Sequence, residues 1–287
     1  MTYDVAIVGT GPAAVSAALT LKVHNKSIIW FGSRKMSPKV EKSEMIANYP
    51  GVAMVSGPEL NQLYRRQVEE AGLEITEKLV TNILGSRSGY MLQGGDEIYS
   101  ARTILLTTGA VSGKGFPGEE RLLGSGVSYC ATCDGFLYKG KTIAVFCGSR
   151  DFEHEAEYLA ELAEKVYLFT AYPDCGVERE NVIVNPGRIK EIRGTMRVSG
   201  ITLTDGTELE AAGVFVLRNA VAPGTLLKGL EINGADIVVD RRMATNKPGC
   251  FAAGDCTGRP YQLAKAVGEG NVAAHSIIEY LAEMDKQ

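Results

Sequence analysis

The chain has 287 residues, enough for two ordinary domains that each bury a core of their own. Its formal net charge of −4 argues against nucleic acid as the main partner, because phosphate binding needs a basic face. Six cysteines are too dilute for a secreted disulfide scaffold, the apolar start at 5–8 is too short for a signal-peptide core, and no run reaches the length of a membrane span; a reducing cytoplasm is the expected compartment.

Tyr3-Asp4-Val5-Ala6-Ile7-Val8 reads as a buried strand, followed by the turn Gly9-Thr10-Gly11-Pro12-Ala13-Ala14 and an apolar helical stretch to about Val23. Strand, glycine turn and helix form the βαβ dinucleotide fingerprint. Gly9 allows the turn, Gly11 lets backbone approach a pyrophosphate, and Ala14, in place of a third glycine, keeps helix and strand close. A βαβ unit with no ligand is the alternative. The second strand, Ser27-Ile28-Ile29-Trp30-Phe31, ends in Gly32-Ser33 and lacks the carboxylate that a ribose would want. Ile104-Leu105-Leu106-Thr107-Thr108-Gly109-Ala110 is an apolar strand ending in small residues, suited to close passage of backbone by a ligand.

Cys130-Ala131-Thr132-Cys133-Asp134-Gly135 follows. Two cysteines at this spacing can meet across one turn, so that one thiolate attacks a partner disulfide and the other resolves the mixed disulfide. Asp134 is near enough to carry a proton for the sulfur that leaves, and Asp-Gly is also a turn signal. Half of a zinc site, or two buried thiols, would show the same spacing. Zinc would want a second ligand pair, whereas Cys147, Cys175, Cys250 and Cys256 stand singly and the three histidines show no ligand spacing.

Lys141-Thr142-Ile143-Ala144-Val145-Phe146 is another buried strand, with a periodic helix ending near Leu162 and a strand at Val166-Tyr167-Leu168, a second βαβ outline. Its turn reads Cys147-Gly148-Ser149-Arg150-Asp151-Phe152, with a single glycine and an acid at the helix start that a phosphate would face. A small β-meander is expected around 197–209. Finally, Pro248-Gly249-Cys250-Phe251-Ala252-Ala253-Gly254-Asp255-Cys256 is a buried strand ending in Gly-Asp, where open α/β sheets bind ligands, and residues 262–274 form a helix with small residues on one side.

Residues 9–14, Asn48-Tyr49-Pro50-Gly51, Thr107-Thr108-Gly109, residues 130–135, Gly254-Asp255 and Gly268-Glu269-Gly270 occur in the order seen in low-molecular-weight thioredoxin reductases, which the chain resembles over nearly its whole length. The resemblance implies an α/β fold class of two Rossmann-like three-layer domains of the FAD/NAD(P)-binding type, the second inserted in the first. An FAD-binding domain would comprise 1–110 and 221–287. A redox domain would comprise 111–220, joined through hinge-like crossings near 111–116 and 219–224. FAD would be held through Gly9, Gly11, Pro12, Ala13, Ala14, Phe31, Gly32, Asn48, Val80, Thr108, Gly109, Gly254, Asp255, Gln262 and Leu263. Among these, Asp255 resembles the acceptor of a ribityl hydrogen bond, and Gln262 and Leu263 resemble the contacts at the ring end, where Tyr261 stands in place of an arginine. The catalytic residues implied are Cys130, Cys133 and Asp134, with Cys133 facing the flavin and Asp134 handling a proton; no metal is implied.

In that family a glycine triplet and an arginine cluster hold NADPH. Here the turn at 147–152 and the cation-free stretch Phe169-Thr170-Ala171-Tyr172-Pro173-Asp174-Cys175 replace both. The pattern resembles the ferredoxin-dependent flavin thioredoxin reductases, which implies reduced ferredoxin as the electron donor, thioredoxin as the substrate and a homodimer. Arg34, Lys35, Lys39 and Lys42 form a candidate docking surface for an acidic ferredoxin, or an ordinary solvated loop. The rival readings are an NADPH-dependent enzyme with a divergent site, an oxygen-dependent dithiol oxidase of a small disulfide metabolite, and a non-catalytic flavin- or partner-binding module.

Overall fold

The computed structural model describes residues 2–86, 88–110, 115–129, 131–218 and 223–286. The chain divides into two compact units, Met1–Ser112 with Val221–Gln287, and Gly113–Ala220. The expected hinges fall largely on 111–114 and 219–222, outside the described residues. Among the described residues, no helix is long and apolar enough to cross a membrane.

The first unit opens with β1 (Thr2–Val8), α1 (Pro12–Val23), β2 (Ile28–Phe31), α2 (Pro38–Glu41) and α3 (Gly57–Glu70). β1 lies between β2 and β5 (Glu97–Leu106), parallel to both, so that Val8 is level with Phe31 on one side and Leu106 on the other. Burial on both faces explains the unbroken apolar run of β1. Pro12 starts α1, where its missing N–H costs nothing. α3 begins with a reciprocal capping box between Ser56 and Glu59 and turns Leu60, Tyr64 and Val68 inward at helical spacing. β3 (Val80–Ser86) and β4 (Gly89–Gly94) form an antiparallel meander with the first half of β5.

The second unit contains α4 (Glu119–Leu122), β6 (Val127–Ser128), α5 (Ala131–Asp134), β7 (Thr142–Cys147), α6 (Glu153–Leu162), β8 (Lys165–Thr170), β9 (Val182–Val184) and β13 (Gly213–Leu217). Its sheet is parallel, in the order β6-β13-β7-β8-β9. The meander consists of β10 (Ile189–Gly194), β11 (Val198–Leu203) and β12 (Glu208–Glu210), and so starts earlier than the 197–209 expected. A register shift between Ile189 and Glu191 puts both Ile189 and Ile192 inside, which breaks the period-two signal of β10.

The chain then returns to the first unit with α7 (Pro223–Leu226), β14 (Ile232–Asn233), β15 (Asp236–Ile237), β16 (Cys250–Ala252) and α8 (Leu263–Met284). β16 pairs in parallel with the second half of β5. α8 runs well past residue 274, because Ile277 and Leu281 continue its buried face. Its Gly270 faces α1 so closely that a Cβ there would lie 2.1 Å from the Ala13 carbonyl oxygen. This packing explains the small residues on both helices.

Candidate functional site

In the first unit, Gly9, Gly11, Phe31, Gly32, Thr108, Gly109, Gly254 and Asp255 lie at or just past the carboxyl ends of β1, β2, β5 and β16, whereas Val80 opens β3, Asn48 lies in a loop, and Gln262 and Leu263 head α8. Gly9 leaves β1 with φ +116, and a Cβ there would fall 2.2 Å from the Thr107 carbonyl oxygen. Only glycine fits that position. Its N–H donates to Phe31 O at 2.9 Å, and its carbonyl accepts from Trp30 Nε1 at 2.6 Å. Gly11 caps α1 in an extended conformation without a side-chain hydrogen bond, and nothing lies within 4 Å of where its Cβ would be. A helix start left open in this way suits an anion.

Ala13 and Ala14 are buried in the same core. Gly32 (φ +146) ends β2 against Thr10, while Phe31 and Val80 are buried beside it. Thr107 Oγ1 donates to Val8 O at 2.9 Å. Thr108 Oγ1 is buried without a hydrogen-bond partner, and Gly109 follows at φ +73 with open space beside it. On the other side, Asn48 Nδ2 donates to Gln262 Oε1 at 3.0 Å, a contact between segments 214 positions apart. Gln262 caps α8 through its backbone alone, leaving the first turn, headed by Leu263, open.

Gly254 (φ +90) and Asp255 form the turn after β16. A clamp on α8 holds that turn. Lys265 Nζ donates to Gly254 O (2.8 Å), Thr257 Oγ1 (2.9 Å) and Gly258 O (2.7 Å), and pairs with Glu269 at 3.1 Å. Glu269 accepts from Gly254 N (2.9 Å) and Thr257 Oγ1 (2.8 Å). All three ammonium donors are used, which makes this a satisfied network. Asp255 itself pairs with Lys39 Nζ at 2.5 Å. The cations Arg34, Lys35, Lys39 and Lys42 are all exposed, as a solvated segment would have them, but two of them have partners. Lys39 sits on the helix α2 and turns to Asp255, and Arg34 lies 3.9 Å from Glu77. Nothing local in the sequence signals a pair separated by 216 positions.

The second unit carries the residues expected to do the chemistry. Cys130 lies outside the described residues, and of Cys133 the backbone alone is described, within α5. Asp134, the last residue of α5, accepts a 2.6 Å hydrogen bond from Ser128 Oγ on β6. Glu155 Oε2 accepts from Ala131 N at 3.4 Å, and burial pushes the Glu155 carboxyl above its ordinary range. Under the same strand ends, Glu119 is 2% exposed and pairs with Arg218 while accepting from Tyr129 OH at 2.7 Å and Phe116 N at 2.8 Å. Burial draws the Arg218 guanidinium down from its ordinary value. Ser128, Glu119 and Arg218 were not among the predicted site residues, because their pairing depends on strand order and leaves no trace in spacing.

The turn after β7 is built differently from the one after β1. Cys147 is fully buried, and a short 3₁₀ turn, Arg150–Phe152, intervenes before α6. Glu153, the first residue of α6, accepts the Gly176 N–H at 3.0 Å, and this bond holds its carboxyl below the ordinary value. A Cβ on Gly176 would lie 2.9 Å from Glu153 Oε2. Arg150 donates to Pro173 O at 3.1 Å and lies 5.7 Å from the centre of the Tyr172 ring. The stretch after β8 is thus tied down onto the turn after β7. Cys147, Cys175, Cys250 and Cys256 are free thiols; burial pushes Cys147 and Cys250 up to about 12 and Cys256 to about 11.

The profile of the family described as pyridine nucleotide-disulphide oxidoreductase matches residues 3–270. The thioredoxin reductase of Bacillus subtilis (strain 168) is 30% identical, covering 99% of this chain and 96% of its own length. That of Treponema pallidum (strain Nichols) is 32% identical, covering 97% of each. Among solved structures, a ferredoxin-flavin thioredoxin reductase from Clostridium acetobutylicum superposes with a TM-score of 0.93 at 40% identity over 100% of both chains. A thioredoxin reductase from Gloeobacter violaceus gives 0.79 at 30% identity, covering 98% of this chain and 95% of its own. Thioredoxin reductases of this family are FAD flavoproteins. The first unit fits such a cofactor: it has an open helix start at Gly11, a buried unpartnered hydroxyl at Thr108, and a glycine turn before Asp255 that is already clamped. The chain belongs to the pyridine nucleotide-disulphide oxidoreductase family, as a homologue of its thioredoxin reductases.

Proposed function

We propose that this chain reduces the disulfide of thioredoxin through a redox pair formed by Cys130 and Cys133, and that its electrons come from reduced ferredoxin rather than from NADPH. One observation carries the choice of donor. Where a second dinucleotide would bind, Glu153 sets a carboxylate at the start of α6 and accepts the Gly176 N–H, while Arg150 donates to Pro173 O. A pyrophosphate there would meet a carboxylate and would forfeit charge-assisted bonds worth about 1.5–3 kcal/mol each. The 40% identical structure from Clostridium acetobutylicum, a ferredoxin-flavin thioredoxin reductase by its description, supports the same reading.

Bound FAD supplies a two-electron store that can be filled one electron at a time. Gly9, Gly11, Pro12, Ala13, Ala14, Phe31, Gly32, Asn48, Val80, Thr108, Gly109, Gly254, Asp255, Gln262 and Leu263 would hold it. Gly11 and the α1 start would take the pyrophosphate, and the open start of α8 would face the electron-rich edge of the ring. Asp134, held by Ser128, would deliver the proton to whichever of Cys130 and Cys133 is released as thiolate when its S–S bond breaks. The same reading makes the protein a cytoplasmic homodimer, which analytical ultracentrifugation of the holoprotein would check.

The test is an anaerobic titration of the holoprotein with NADPH, NADH and reduced ferredoxin. Ferredoxin should bleach the oxidised flavin band and support thioredoxin reduction, and the pyridine nucleotides should do neither. Bleaching by stoichiometric NADPH at a catalytic rate would overturn the reading.

A further inference from the structure

Lys39 is held in place more firmly than an ordinary surface lysine. Its helix α2 has only four residues, yet Asn61, wholly buried on α3, donates through Nδ2 to Ser37 O at 3.0 Å and to Glu41 Oε2 at 2.6 Å. Ser37 Oγ accepts from Val40 N at 3.3 Å, and a Cβ on Gly57 would lie 1.8 Å from the Val40 carbonyl oxygen. The backbone beneath Lys39 is therefore fixed against α3. From there Nζ reaches Asp255 Oδ2 at 2.5 Å and lies 4.5 Å from the centre of the Tyr261 ring. The far end is just as rigid, because Lys265 and Glu269 clamp the turn that carries Asp255.

An ion pair between two floppy surface side chains contributes almost nothing, since ordering both offsets the Coulomb gain. Here both backbones are fixed in advance, the Asp255 side chain is only 15% exposed although that of Lys39 is 61% exposed, and the ammonium also rests on an aromatic face. A ligand seated at the carboxyl end of β16 would cover Asp255 further. An uncompensated carboxylate would then repel the phosphates of FAD and the negative charge that its ring gains on reduction.

We infer that Lys39 is a positioning residue of the flavin site, which neutralises Asp255 and so favours FAD binding and, more strongly, the reduced cofactor. The inference rests on the placement of FAD proposed above. Its test uses Lys39→Met, Lys39→Arg and Asp255→Asn in the full chain, with FAD titrated into apoprotein at low and high ionic strength and the midpoint potential of each holoprotein measured. Lys39→Met should weaken FAD binding roughly five-fold at low salt and less at high salt. It should also lower the potential by about 20 mV, a five-fold shift of a two-electron couple. Lys39→Arg should restore both. Unaltered affinity and potential in Lys39→Met would overturn the inference, as would a change confined to the KM for reduced ferredoxin, which would make Lys39 a docking cation. Asp255→Asn removes the charge that Lys39 balances, so adding Lys39→Met to it should leave affinity and potential unaltered, and a drop as large as in Lys39→Met alone overturns the inference. Gly11→Ala tests the placement itself: if it retains FAD like wild type, the placement falls and the inference with it, whereas FAD loss in Gly11→Ala beside a null Lys39→Met overturns the inference alone.

Discussion

The chain contains the same supersecondary unit twice, a strand, a tight turn and a helix, and the two turns have opposite characters. After β1, Gly9 takes a backbone conformation that only glycine allows, Gly11 faces open space, and the α1 start has no side-chain cap. After β7, a buried cysteine and a 3₁₀ turn replace that opening, and the chain's own Glu153 binds the amide of Gly176. Backbone topology alone therefore does not make a nucleotide site. What matters is whether the amides at the strand ends are left for a ligand or already satisfied within the chain.

The units should also differ in what breaks them. The second unit depends on a buried charge pair, so Glu119→Ala should cost about 3–5 kcal/mol by leaving Arg218 uncompensated. Hydrogen exchange along β13 and β7 should accelerate, while β1 and β5 of the first unit keep their protection. Next in size, Gly9→Ala should destabilise the first unit by roughly 2–4 kcal/mol, through its positive φ and its collision with Thr107. Gly11→Ala, by contrast, has room and should leave the apoprotein's unfolding free energy within about 0.5 kcal/mol of wild type while FAD retention falls sharply. Equal FAD retention in Gly11→Ala and wild type would erase the contrast between the two turns.

A smaller effect tests the second turn directly. The folded-state pKa of Glu153 is depressed below its ordinary 4.5, so its contribution to stability is present above that value and is lost as pH falls through the folded pKa. Glu153→Gln should remove about 0.5 kcal/mol near neutral pH and flatten the acid limb of the stability curve, without creating NADPH affinity. The smallest change should come from thiol labelling. In the native protein at mildly alkaline pH, Cys147, Cys250 and Cys256 should resist alkylation, because burial raises all three to between about 11 and 12. Their labelling at the rate of free thiols, read by mass spectrometry, would contradict that burial.

Much of this was legible in the residues. Alternation and apolar runs announced β1, β7 and β16, and glycine spacing announced the turn at 9–14. Cysteine spacing singled out 130 and 133, and the missing glycines and cations at 147–175 pointed to an altered second site. These signals are local: a strand's period, a positive φ or a phosphate's need for bare backbone is written within a few residues. The early start of β10 was hidden, because a register shift scrambles the alternation on which such a reading depends.

The amino-acid sequence thus determined the class of fold, the place of the open nucleotide turn and the identity of the candidate redox pair. Tertiary structure alone decided that Lys39 pairs with Asp255, that Asn48 meets Gln262, that Ser128 holds Asp134, and that Glu119 lies buried against Arg218. Each of these joins residues from different elements. Strand order and helix packing set the distance between them, and charge and spacing along the chain carry no record of that distance.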